Sequence, residues 1–93
     1  MKLKDNVAII TGVSAPQGLG KAIADAFANE GAKLAICDIN EQAVMQRSEE
    51  IAARGTPCLG LRGKVSSVES VKQMFAGVVK KFGTVDILVN NAA

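Results

Sequence analysis

The stretch from Val7 to Gly20, VAIITGVSAPQGLG, constrains this 93-residue chain more than any other, because it joins an apolar run to a glycine-marked turn and then to a helical pattern. Val7, Ala8, Ile9 and Ile10 are continuously apolar, the mark of a strand covered on both faces in a parallel sheet. Gly12, Gly18 and Gly20 follow. Glycines suit a strand-to-helix turn whose backbone must bend, admit a ligand and then press the new helix against the sheet. The helix N-terminus beyond the turn offers unpaired amide donors and positive dipole potential to a pyrophosphate. A tight turn that binds nothing would carry the same glycines, and the spacing is not G-x-G-x-x-G, so the phosphate reading depends on residues further along.

Strand-like and helix-like segments then alternate. Leu19, Ala22, Ile23, Ala26 and Phe27 recur at helical spacing, and Gly31 stops that helix. Leu34 to Cys37 is a second short strand ending at Asp38. Asn40 can cap the next helix, with Glu41 in its first turn and Val44, Ser48, Ile51 and Ala52 as its inner stripe. Pro57 to Leu61 reads as a third strand, interrupted by Gly60. Ser66 and Glu69 have capping-box spacing ahead of the most regular amphipathic pattern in the chain, Val68, Val71, Phe75, Val78, Val79 and Phe82. Gly83 ends it, and Val85 to Val89 forms a fourth strand running into Asn90, Asn91, Ala92 and Ala93. The order β-α-β-α-β-α-β requires right-handed crossovers and an α/β fold, a parallel sheet with helices on both faces. In a doubly wound sheet the strand order is 3-2-1-4, and ligands bind beyond the strand C-termini where the order reverses. That arrangement sets the glycine turn beside Asn90 to Ala93, with Asp38 on its other flank.

Composition removes several function classes. A net charge of +2, with basic pairs only at Lys2/Lys4, Arg62/Lys64 and Lys80/Lys81, does not support nucleic-acid binding. No apolar run reaches membrane length, so a soluble cytoplasmic protein is expected. Cys37 ends one strand and Cys58 begins its neighbour, which puts them at opposite ends of the sheet as buried thiols rather than a disulfide. The chain contains no His, and its scattered carboxylates show no metal-ligand spacing. Tyr and Trp are also absent.

Asp38 stands 18 residues after Gly20 at the end of a strand, where a carboxylate can accept hydrogen bonds from both ribose hydroxyls and would repel a 2′-phosphate. A solvated loop acid is the plainer alternative. With TGVSAPQGLG, Asp38 and NNAA together, the chain resembles the short-chain dehydrogenase/reductase family over its whole length, matching the first half of that family's domain. The resemblance implies a Rossmann-like half, a single partial dinucleotide-binding domain over residues 1–93. It implies NAD as cofactor in preference to NADP, given Asp38 followed by Ile39. The positions it assigns to the cofactor are Gly12, Ser14, Gly18, Leu19, Gly20, Asp38, Ile39, Lys64, Val65, Asn90 and Ala92.

The sequence departs from the family pattern in several places. Two additional residues separate Gly12 from Gly18, a spacing that resembles the divergent enoyl-reductase branch, whereas Gly18, Gly20 and NNAA resemble the branch that keeps both later glycines. Lys64-Val65 replaces the family's Asp-Val, and an ammonium can donate to adenine N1 but cannot accept from the exocyclic amine. Ala93 replaces a Gly. The family's catalytic Tyr and Lys have no counterpart in this sequence, so no residue is assigned a catalytic role and the chain alone is expected to be inactive. Two readings follow: the cofactor-binding part of an oxidoreductase, or a free-standing dinucleotide-binding or assembly module. Either leaves the fourth strand with an open edge, from which a homo-oligomer is expected.

Overall fold

The apolar run that opens the chain becomes the strand around which the rest is laid. In the computed structural model, which describes residues 2–13 and 18–91, β1 is Val7–Thr11 and every one of its residues is buried. It is followed by α1 (Leu19–Asn29), β2 (Lys33–Asp38), α2 (Glu41–Ala53), β3 (Cys58–Arg62), α3 (Val68–Phe82) and β4 (Ile87–Val89). All strand pairs are parallel, in the expected order β3-β2-β1-β4.

The alternation of strand side chains divides the core into two layers. Ala8 and Ile10 of β1, with Leu34 and Ile36 of β2, pack against Ala24 of α1 and Val44 and Ile51 of α2. Val7 and Ile9, with Ala35 and Cys37, meet Met74 and Val78 of α3 on the opposite face. Helices therefore cover both faces. Ile9, Ile10, Leu34 and Ile36 are fully buried, and each contributes roughly 1.5–3 kcal/mol of transfer free energy.

Helix ends follow the local chemistry, with one shift in register. Asn40 Oδ1 accepts from the Ala43 amide at 3.0 Å, capping α2 as expected. For α3 the cap is Ser67 rather than Ser66: Ser67 Oγ accepts from the Ser70 amide at 3.2 Å. The expected capping box does not form, because with Ser67 as cap its third helical residue is Ser70. The Ser70 hydroxyl instead accepts from the Lys64 amide at 3.0 Å, folding the preceding loop back on the helix.

The inward faces of all three helices also differ from the expected stripes. On α1, Leu19 is 67% exposed and Ala22 and Ala26 are on the surface, while Gly20 and Ala24 are buried. The close approach of Gly20 to the glycine turn sets this rotation, and Leu19, about 100° around the helix, is turned outward. On α3 the buried residues are Met74 and Val78, with Val71, Phe75 and Phe82 beside them, leaving Val68 and Val79 exposed. On α2 the inner residues are Val44, Arg47 and Ile51. β3 carries a glycine because α2 lies directly over it: a Cβ on Gly60 would stand 2.9 Å from Ser48 Oγ.

β4 is shorter than the expected Val85–Val89. Asp86 Oδ2 accepts from the Val7 amide at 2.9 Å, so a carboxylate takes the place of a ladder carbonyl and regular pairing starts at Ile87. Cys37 lies opposite Leu61, whereas Cys58 lies opposite Leu34 at the other end of the sheet, and both thiols are free. Among the described residues no helix is long and apolar enough to cross a membrane.

Candidate functional site

The C-terminal ends of all four strands converge on a cleft of about 620 Å³. Thr11 closes its floor at the end of β1, and Cys37, Asp38 and Ile39 form the wall that follows β2. Gly63, Lys64, Val65 and Ser66 form the wall after β3, and Asn90 lies at the end of β4. The two walls are fastened together by the Gly63 amide, which donates to the Asp38 carbonyl at 3.0 Å. Asp38 Oδ1 accepts from the Asn40 amide at 3.1 Å, which orients the carboxylate at the start of α2.

The glycine turn is tied to both neighbouring strands. Gly12 has φ +73°, a left-handed conformation that L side chains rarely adopt. Its amide donates to the Cys37 carbonyl at 3.0 Å, and its carbonyl accepts from Asn91 Nδ2 at 3.0 Å. A Cβ on Gly20 would stand 2.1 Å from that same carbonyl oxygen, so only glycine lets α1 start this close to the turn. Gly18 is the N-cap of α1 and supplies no side-chain acceptor, and the first turn contains no acidic residue. α2 and α3, by contrast, have Asn40 and Ser67 as caps and Glu41 and Glu69 in their first turns. Among the described residues no side chain caps the first amides of α1, an arrangement that suits an anion.

Thr11 is the pin of the site. Its hydroxyl, 3% exposed as a residue, donates to Asn90 Oδ1 at 3.2 Å and accepts from the Asn91 amide at 3.0 Å. With the Asn91–Gly12 bond, this locks the segment after β4 to the glycine turn. Burial pushes the Cys37 thiol up to about 12, with the Asp38 charge reinforcing the shift, so the thiol in the cleft wall stays protonated and non-nucleophilic at neutral pH.

Of the residues expected at the cofactor, Asp38, Ile39, Lys64, Val65 and Asn90 line this one cleft, and Gly12, Gly18 and Gly20 build the turn beside it. Leu19 stands exposed at the first helical position. Ser14 and Ala92 lie outside the described residues, as does Ala93. Thr11, Cys37, Gly63 and Ser66 also line the cleft and were not expected there. A hydroxyl at the last position of an otherwise apolar strand, directly before a glycine, was the available signal for Thr11.

A separate polar group fastens α1 to α2. Asp25 bridges Lys21 at 2.9 Å and Arg54 at 2.7 Å, and the hydrogen bond from Arg54, followed by that from Lys21, holds its carboxyl below the usual carboxylate range. Arg47 is buried beside it, paired with Glu50 at 2.9 Å while its Nε lacks a partner. No group of three His, Cys, Asp or Glu among the described residues could hold a metal ion.

Comparison with known proteins agrees with this geometry. The family model described as short chain dehydrogenase matches residues 6–93. An uncharacterized oxidoreductase of Thermotoga maritima is 42% identical over 91 residues, which cover 98% of this chain and 35% of that protein. The crystal structure of a short chain dehydrogenase from Mycobacterium smegmatis superposes with a TM-score of 0.92 at 30% identity, covering 99% of this chain and 38% of that one. A short chain dehydrogenase/reductase from Burkholderia phymatum in complex with NAD superposes with a TM-score of 0.88 at 31% identity, covering 95% of this chain and 31% of that one. The chain thus spans about a third of the length of these relatives.

Proposed function

Because this chain belongs to the short-chain dehydrogenase family, we propose that residues 1–93 form a single, partial dinucleotide-binding domain, the NAD(H)-binding portion of a cytoplasmic oxidoreductase. The observation that carries this reading is the cleft itself. It joins an orienting carboxylate at the end of β2 to a glycine turn whose helix begins without a side-chain cap, and its volume is that of a cofactor pocket. The residues fit the cofactor class. Gly12, Ser14, Gly18, Leu19 and Gly20 would flank the pyrophosphate, which the α1 N-terminus attracts. Asp38 would accept from the ribose hydroxyls, and its negative charge disfavours a 2′-phosphate. Ile39, Lys64 and Val65 would surround the base, with Asn90 and Ala92 nearer the nicotinamide end.

The bound nicotinamide would supply hydride exchange with a carbonyl or alcohol. This chain's residues bind and orient, and none is assigned as proton donor, since neither Tyr nor His is present to do that work. In this reading a Tyr-x-x-x-Lys pair outside residues 1–93 moves the proton. Calorimetric titration with NADH and NADPH tests the cofactor assignment: tighter binding of NADH is expected, and tighter binding of NADPH refutes it. Leu88, 53% exposed on β4, supports self-association of these 93 residues through that edge. Sedimentation equilibrium on the folded 93-residue chain should show a dimer or higher oligomer, and a stable monomer at micromolar concentration refutes this.

A further inference from the structure

A second cleft, of about 190 Å³, opens beside the large one after β3. The two share Ile39 and Lys64, and the second is lined also by Arg62, Ser67, Ser70 and Gln73. One water needs roughly 10–15 Å³ of such space, so this cleft admits a small polyatomic ligand. Two of its lining side chains are cations. Neither Arg62 nor Lys64 joins an ion pair, and no carboxylate lines this cleft among the described residues. Asp38 lies opposite Arg62 in the sheet register, but it lines the large cleft alone.

The hydrogen bonds of the remaining polar groups point the same way. Ser67 Oγ accepts from the Ser70 amide at 3.2 Å, and Ser70 Oγ accepts from the Lys64 amide at 3.0 Å. Each hydroxyl oxygen is thus engaged, while its proton has no acceptor among the described residues. A guanidinium and an ammonium donate and never accept, and the Gln73 amide can present its NH2 group. The cleft therefore gathers donors of two charged and two neutral kinds without an ionised acceptor to receive them. A tetrahedral oxyanion, with acceptor oxygens in several directions, meets this set, because bonds from charged donors to an oxyanion are the strong ones and arginine and lysine both bind phosphate.

We propose that this cleft binds a phosphate group, held by Arg62 and Lys64 with the Ser67 and Ser70 hydroxyls beside them. The site lies apart from the glycine turn, where the pyrophosphate of the proposed dinucleotide would sit, and does not depend on that assignment. Arg62 and Lys64 are exposed, so affinity for the free ion is expected to be on the order of 1 mM, with each cation contributing roughly fivefold.

The test is titration of the isotope-labelled 93-residue chain with inorganic phosphate at constant ionic strength, followed through amide chemical shifts. The shifts should saturate and concentrate on residues 62–73. Arg62→Ala and Lys64→Ala should each weaken binding roughly fivefold, and the double variant should abolish it. Lys72→Ala removes an exposed cation of α3 that does not line the cleft and should leave binding unchanged. Lys64→Ala keeps the backbone amide that bonds Ser70, and a native-like amide spectrum confirms folding of every variant. Phenyl phosphate titrated in parallel separates the two sources of the group: tighter binding than inorganic phosphate points to a phosphomonoester whose organic part rests on Ile39, and equal or weaker binding points to the free ion. Either result supports the site. Shifts confined to the glycine turn and the start of α1, shifts that do not saturate, or equal losses from Lys72→Ala and Lys64→Ala overturn the inference and leave the dinucleotide reading intact.

Discussion

Replacing Gly20 with alanine isolates the contact on which the site is built. The added Cβ would lie 2.1 Å from the Gly12 carbonyl oxygen, 2.8 Å from its carbon and 2.9 Å from Asn91 Nδ2, where ordinary contacts begin at 3.4 Å. Two of those atoms are backbone, so the start of α1 must move from the turn by about 1 Å. Such overpacking costs about 1–3 kcal/mol. Displacing the Gly12 carbonyl also weakens its 3.0 Å bond from Asn91, worth about 1 kcal/mol. The better helix propensity of alanine returns less than about 1 kcal/mol. The net expectation is a loss of about 2 kcal/mol, which lowers Tm by about 8–16 °C in a domain of this size. Gly77 in α3 is the internal control, because a Cβ there meets only Leu61 methyl groups at 3.8 and 4.0 Å. Gly77→Ala should gain about 0.5–1 kcal/mol and raise Tm by a few degrees. Thermal denaturation followed by circular dichroism reads both. A Gly20→Ala protein that melts with the native one, or a Gly77→Ala protein that falls as far, would refute the reasoning.

Three further outcomes are expected. Thr11→Val removes a buried hydroxyl while keeping the strand-favouring shape, leaving Asn90 Oδ1 and the Asn91 amide without their partner, and should cost about 1–3 kcal/mol; urea titration should show a lower midpoint at unchanged slope, and an unchanged midpoint contradicts the pin. Burial raises both thiols to about 12 from an ordinary value of 9.0, so folded protein should resist a disulfide exchange reagent at pH 8, and stability should fall as pH rises from about 9 towards 12, where only the unfolded thiols ionise; rapid labelling of native protein at pH 8 contradicts this. Asp25 has its carboxyl lowered from 3.8 by Arg54 and Lys21, so its stabilisation is present above that value and is lost as pH falls below it. Asp25→Asn should accordingly lower stability at pH 7 by less than about 1 kcal/mol, with Arg54 half exposed, and by less still at pH 3; a gap that widens in acid contradicts the sign.

The chain's own pattern was enough to determine the order of elements, the parallel sheet β3-β2-β1-β4, the Asn40 cap and the position of Asp38 at a strand end. These follow from period and from hydrogen bonds that close within a few residues, which a linear reading contains. Tertiary structure decided which side of each helix faces inward. The rotation of α1 follows from Gly20 meeting Gly12, and that meeting turns Leu19 to solvent although its spacing matches the apolar stripe. The pin formed by Thr11 with Asn90 and Asn91 spans about eighty residues, and Asp38 faces Lys64 across a cleft although 26 positions separate them. No periodicity encodes such pairs, because the sheet register and crossover packing that bring them together are collective properties of the folded chain.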